Sequence, residues 1–96
     1  MMRVLLSAVY TALARRRLQQ SVRRTIQAAF DELDPFDQKV FYGHRITGLN
    51  YRELAEMHGV SVEDIMQAMI RSLATISFAL DEKHPDRWQL LDPNLQ

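Results

Sequence analysis

The chain has 96 residues, 47% of them apolar, which is enough for one small core and no more. Cysteine is absent, which excludes a disulfide framework, a thiolate zinc site and a cysteine nucleophile, and leaves packing between helices as the cheapest route to stability. The net charge of zero is unevenly spread: six arginines and no acid precede residue 31, for +6, and six bases against twelve acids follow, for −6. A basic arm for nucleic acid, or one part of the chain lying against another part or another copy, would each account for this asymmetry.

The opening, MMRVLLSAVYTALARRR, superficially resembles an export signal. Its apolar run is too short for a bilayer, which needs about 20 residues. It ends in three arginines rather than a cleavage-site loop, and it has good helical periodicity. The expectation is a cytoplasmic protein with no membrane partner. From Val4 to Leu33 there is no proline or glycine. Apolar residues recur at Val4, Leu5, Ala8, Val9, Ala12 and Leu13, and again at Leu18, Val22, Ile26, Ala29, Phe30 and Leu33, the spacing of one helical face. Arg15, Arg16 and Arg17 mark either a joint between two helices or the polar side of one long helix.

The stretch LDPFDQKV breaks and restarts the pattern. Asp34 can cap, Pro35 suits the first helical position and Asp37 favours the helix dipole. This helix is expected to reach about Thr47, with Phe36, Val40, Phe41 and Ile46 toward the core. Gly43 in its middle costs about 1 kcal/mol relative to alanine, so either something packs closely there or the helix is weak. Gly48 ends it. Asn50 with Glu53, and Ser61 with Asp64, read as two capping boxes. Leu54 and Ala55 face inward, Gly59 stops the first of these helices, and the second reaches about Leu80 or Asp81. Pro85 and Pro93 are stops, and Trp88, Leu90 and Leu91 are apolar enough to dock as a short final segment. The fold class is all-α, with four to six helices. Residues 1–33 form a basic amphipathic segment, 34–81 a helix-turn-helix domain and 82–96 a tail.

The steric demands of a helix-turn-helix are met in order. Ala55 is small where the second helix crosses, Gly59 permits a left-handed turn, and Val60 and Ile65 plug the angle between the helices. The run LDPFDQKVFYGHRITGLNYRELAEMHGVSVEDIMQAMIRSL resembles region 4 of bacterial sigma factors, especially the extracytoplasmic-function type. Val40, Phe41, Gly48, Leu49, Tyr51, Glu53, Leu54, Ala55, Gly59, Val60, Ser61 and Ile65 match the family pattern without a gap. The resemblance implies a transcription-associated domain whose partners are promoter DNA, RNA polymerase, and sigma or anti-sigma factors. It also points to Tyr51 and Arg52 as backbone contacts and to Arg71 as a family basic position. Nothing in the chain resembles region 2, so it does not read as a complete sigma factor. Pro35 falls one place later than in the family.

The second helix also departs from the pattern. Glu63, Asp64, Met66, Ala68 and Ile70 stand where a groove-reading helix carries basic or small polar residues. Among Arg45, Arg52 and Arg71 against Glu53, Glu56, Glu63 and Asp64, the local balance is −1, which is poor for phosphate neutralisation. The candidate DNA contacts are Tyr51, Arg52, Ser61, Gln67 and Arg71, with Arg15, Arg16 and Arg17 as a compensating arm if it folds alongside.

Two apolar stripes run along this helix. Ile65, Met69, Leu73, Ile76 and Leu80 read as core. Met66, Ile70, Ala74 and Phe78 form a second stripe, covered by the N-terminal helix, covered by a protein partner, or left free to enter a DNA major groove. The candidate interface is therefore Met66, Ile70, Ala74 and Phe78 together with Val4, Leu5, Val9 and Leu13, and exchange of N-terminal helices within a homodimer would satisfy both readings. His44, His58 and His84 lack ligand spacing and read as surface residues, so no metal or cofactor is expected. There is no nucleophile with a base and no phosphate-binding glycine loop, and the chain does not read as an enzyme.

Overall fold

The computed structural model describes residues 2–87, with side chains from residue 9 onward. Trp88, Leu90 and Leu91, and the side chains of Val4 and Leu5, lie outside the described residues. The described chain is four helices: α1 (Met2–Asp31), α2 (Pro35–Arg45), α3 (Tyr51–His58) and α4 (Val62–Lys83). The arginine triplet is therefore the polar side of one continuous helix and not a joint.

Local chemistry sets the helix ends. Asn50 Oδ1 accepts from the Glu53 amide at 2.8 Å while Glu53 Oε1 accepts from the Asn50 amide at 3.1 Å. Ser61 Oγ accepts from the Asp64 amide at 3.0 Å and Asp64 Oδ2 from the Ser61 amide at 3.3 Å. Each pair satisfies two amides that the helix start would leave orphaned. Gly59, at φ 65°, ends α3 in the left-handed region that side chains with a Cβ avoid. α2 differs from expectation at both ends. Asp34 stands before Pro35 but makes no side-chain cap bond, and the helix stops at Arg45, two residues short of Thr47.

Val40, Leu54, Ala55, Ile65, Ala68 and Met69 form the buried centre, where α2, α3 and the start of α4 meet, with Phe36, Phe41, Leu49, Tyr51 and Val60 packed around it. Gly43 is close-packed: a Cβ there would lie 2.7 Å from Leu54 Cδ2. Ile46, expected inside, is 66% exposed, because the chain leaves the helix just before it.

α1 joins this domain by its C-terminal half alone. Ala29 and Leu33 are buried, as are Ser72 and Ile76 of α4. The two helices run antiparallel: the Thr25 hydroxyl lies 2.9 Å from His84 Nε2, while Leu33 shares a surface cleft with Arg71. Gln38 Nε2 donates to the Phe30 carbonyl at 2.9 Å, tying the end of α1 to α2. Toward its start, α1 carries an exposed Val9, Tyr10, Ala12 and Leu13. The chain is elongated, 61 × 24 × 22 Å, with a radius of gyration of 17.8 Å, against about 12.5 Å for a compact chain of this length.

Candidate functional site

The face of interest is the exposed side of α4, presented by the α3 turn. Ile65, Met69, Ser72 and Ile76 point inward at intervals of four, three and four residues. This spacing corrects the expected core stripe. Leu73 lies well off that line and is 37% exposed, and the fully buried position is taken by Ser72, whose hydroxyl donates to the Ala68 carbonyl at 2.8 Å. Ala68 is also fully buried, so it does not belong to the outward face on which Glu63, Met66 and Ile70 stand.

The second stripe is uncovered. Met66 is 45% exposed, Ile70 56% and Phe78 67%, and Ala74 between them is exposed as well. α1 does not lie over it, because α1 is already committed to the Ser72–Ile76 side, antiparallel to α4. That geometry also places the arginine triplet. Arg16 precedes Thr25 by nine residues, so it projects about 13 Å past the C-terminal end of α4, itself about 33 Å long. Arg15, Arg16 and Arg17 are exposed and stand roughly 45 Å along the axis from Ser61. Within one chain they do not fold alongside the start of α4, so they add no cation there.

Arg71 has a structural partner. Its Nη2 donates to Asp37 Oδ1 at 2.8 Å and its Nε to Asp37 Oδ2 at 3.0 Å, a bidentate pair. The Asp37 side chain is 6% exposed and that of Arg71 54%. This hydrogen bonding, with the carboxylates of Asp37, Asp34 and Asp64 adding to it, raises the guanidinium pKa above its ordinary value, against a smaller desolvation effect. Asp37, read from sequence as a helix-dipole residue, is instead the anchor of this pair. The two are 34 positions apart, and no local sequence signal links them.

The remaining candidates are scattered. Arg52 and Gln67 are exposed, on α3 and α4. Ser61 is taken up by its capping box, and Tyr51 is half-buried with its ring 4.8 Å from that of His44. Arg45 sits 6.0 Å over the Phe41 ring. The histidines are not simple surface residues. His44 Nδ1 is 2.9 Å from the Leu49 carbonyl, His58 makes an edge contact with Phe36 at 5.6 Å, and His84 meets Thr25. All three are half-buried, each closing a turn or a helix end. Among the described residues no cluster of three His, Cys, Asp or Glu could hold a metal ion, and no helix is long and apolar enough to cross a membrane.

Capped α3, a left-handed glycine turn and a long second helix packed on α2 define a helix-turn-helix domain of the transcription-associated class. The family model for sigma-70, region 4 matches residues 29–77, just over half the chain, from the last turn of α1 to Ser77 in α4. The chain belongs to the sigma-70 region 4 family, whose members are regulatory DNA-binding domains of transcription. No curated protein and no solved structure matches it.

Proposed function

We propose that this region 4 domain acts mainly by protein contact through the outer face of α4, with DNA reading weakened. The observation that carries the reading is the pairing of two features on one face. Met66, Ile70, Ala74 and Phe78 are exposed in line, and Arg71, the cation beside them, is held by Asp37. Phosphate affinity needs cations free to displace counterions, whereas half-exposed Met, Ile and Phe side chains gain from being covered by protein. The family resemblance makes RNA polymerase, or a sigma or anti-sigma factor, the class of partner. The contrasting reading is a sequence-specific DNA-binding regulator. Exposed Gln67 could serve it by pairing with adenine, and Arg52 by touching phosphate.

Two titrations decide between them. Purified RNA polymerase and sigma factors are tested for binding to the wild-type chain and to Met66→Glu and Ile70→Glu. Duplex DNA is titrated at low and rising salt with wild type, Gln67→Ala and Arg52→Ala. Protein binding lost in the glutamate variants, with duplex binding weak and indifferent to Gln67, is the expected result. Sequence-selective duplex binding that is steep in salt and abolished by Gln67→Ala, with no protein bound, would overturn the proposal. Arg71→Ala is a poor probe of DNA contact here, since it also strips Asp37 of its partner.

A further inference from the structure

We infer that the outer face of α4 is covered by a second copy of this chain, whose basic N-terminal half of α1 lies along it. The inference rests on the reading of that face as a protein-contact surface and names its occupant. Two observations carry it.

The first is mutual incompleteness. The early part of α1 presents Val9, Tyr10 and Leu13 to solvent, at 54%, 71% and 47% exposure, in a stretch that is apolar on nearly every side from Val4 to Ala14. A helix apolar all round is stable only when covered. Within one chain neither this stretch nor the Met66–Phe78 stripe can reach the other, since α1 runs off past the end of α4.

The second is charge. The outer face of α4 carries Glu63 near one end and Asp81 near the other, Asp81 also meeting Arg87 at 2.7 Å. The groove beside it, about 500 Å³ between α1 and α4, is lined by Ala28, Ala74 and Phe78 together with Glu32, Glu82 and Lys83. The projecting stretch ends in Arg15, Arg16 and Arg17. An apolar helix followed by three arginines complements an apolar face flanked by acids.

A two-fold arrangement makes the contact reciprocal, each copy giving one helix and receiving one. It also sets partner and self in competition: capture of another protein on α4 requires the second copy to leave, so apparent affinity falls as chain concentration rises.

The test is sedimentation equilibrium of the full chain at micromolar concentration, with helicity followed by circular dichroism. Wild type is expected at twice the monomer mass, and Leu13→Glu and Ile70→Glu each at monomer mass with helicity kept. Both substituted side chains face solvent in the single chain, so folding should survive. Mixing the two variants should restore association in part, because one of the two reciprocal contacts then pairs an unaltered α1 with an unaltered α4. A monomeric wild type, or a dimer indifferent to both substitutions, would overturn the inference. So would a monomer that instead binds phosphatidylserine–phosphatidylcholine vesicles through the α1 stretch. A monomeric wild type that still loses polymerase or sigma-factor binding on Ile70→Glu would sink self-association and leave the protein-contact function standing.

Discussion

At Gly43 two opposed effects meet. Alanine would improve helix propensity by about 1 kcal/mol, but its Cβ would sit 2.7 Å from Leu54 Cδ2. Leu54 is fully buried, so its methyl can yield only by displacing core neighbours, and overpacking of this kind costs about 1–3 kcal/mol. Gly43→Ala should therefore destabilise by about 1 kcal/mol net, read as a lower urea midpoint with an unchanged slope. A gain in stability would mean that Leu54 has room the packing does not reveal. Arg71 presents the other residue-scale case. Its removal leaves the buried Asp37 carboxylate without its bidentate partner. Arg71→Ala should lower the melting temperature, and Asp37→Asn with Arg71→Ala should recover part of the loss, since a neutral amide is cheaper to leave buried than a charge. If the single variant melts like wild type, the pair is only decorative.

The capping boxes are the devices that shape α3 and α4. α3 has only eight residues, too few to hold as a helix by propensity alone. Its persistence depends on Asn50 and Glu53 at one end, Gly59 at the other, and Leu54 and Ala55 beneath. Asn50→Ala and Ser61→Ala should each cost about 1 kcal/mol, measurable by thermal unfolding. The caps share no partner and should add nearly independently. A double variant far worse than the sum would show that the turn between the helices is a single cooperative unit. Asp64 illustrates how an element can consume a charge. It stands where a DNA reader would want a neutral or basic side chain, yet its carboxylate is bonded to the Ser61 amide, so its first duty is to the start of α4.

For the whole molecule, stability should be graded along α1. From Thr25 onward one face of the helix is buried against α4, whereas residues 9–17 are exposed. Amides of residues 10–17 should exchange with solvent at least about ten-fold faster than those of 65–76, because local opening there exposes no core. Brief trypsin treatment at low chain concentration should cut first at Arg15, Arg16 or Arg17, and the cut should slow as concentration rises into the range where copies associate. Cutting first within α2 or α4 would place the weak segment elsewhere.

The helix-turn-helix was legible in the sequence because its requirements are local. Capping residues act three positions apart, Gly59 acts on its own φ angle, and Leu54, Ala55 and Ile65 follow from helical spacing. The continuity of α1 could not be read, because an arginine triplet is equally at home on a helix or at a joint. The partners of the three histidines are not legible in the sequence, because they are fixed by turns and by chain reversal and not by spacing. The core stripe of α4 departs from expectation at one position, where hydrophobicity favours Leu73 and the packed helices bury Ser72. The Asp37–Arg71 pair and the path of α1 away from the start of α4 belong wholly to the tertiary structure. Both join residues separated by intervening helices, and the direction in which one helix crosses another is set by the summed fit of their surfaces, which no short stretch of sequence contains.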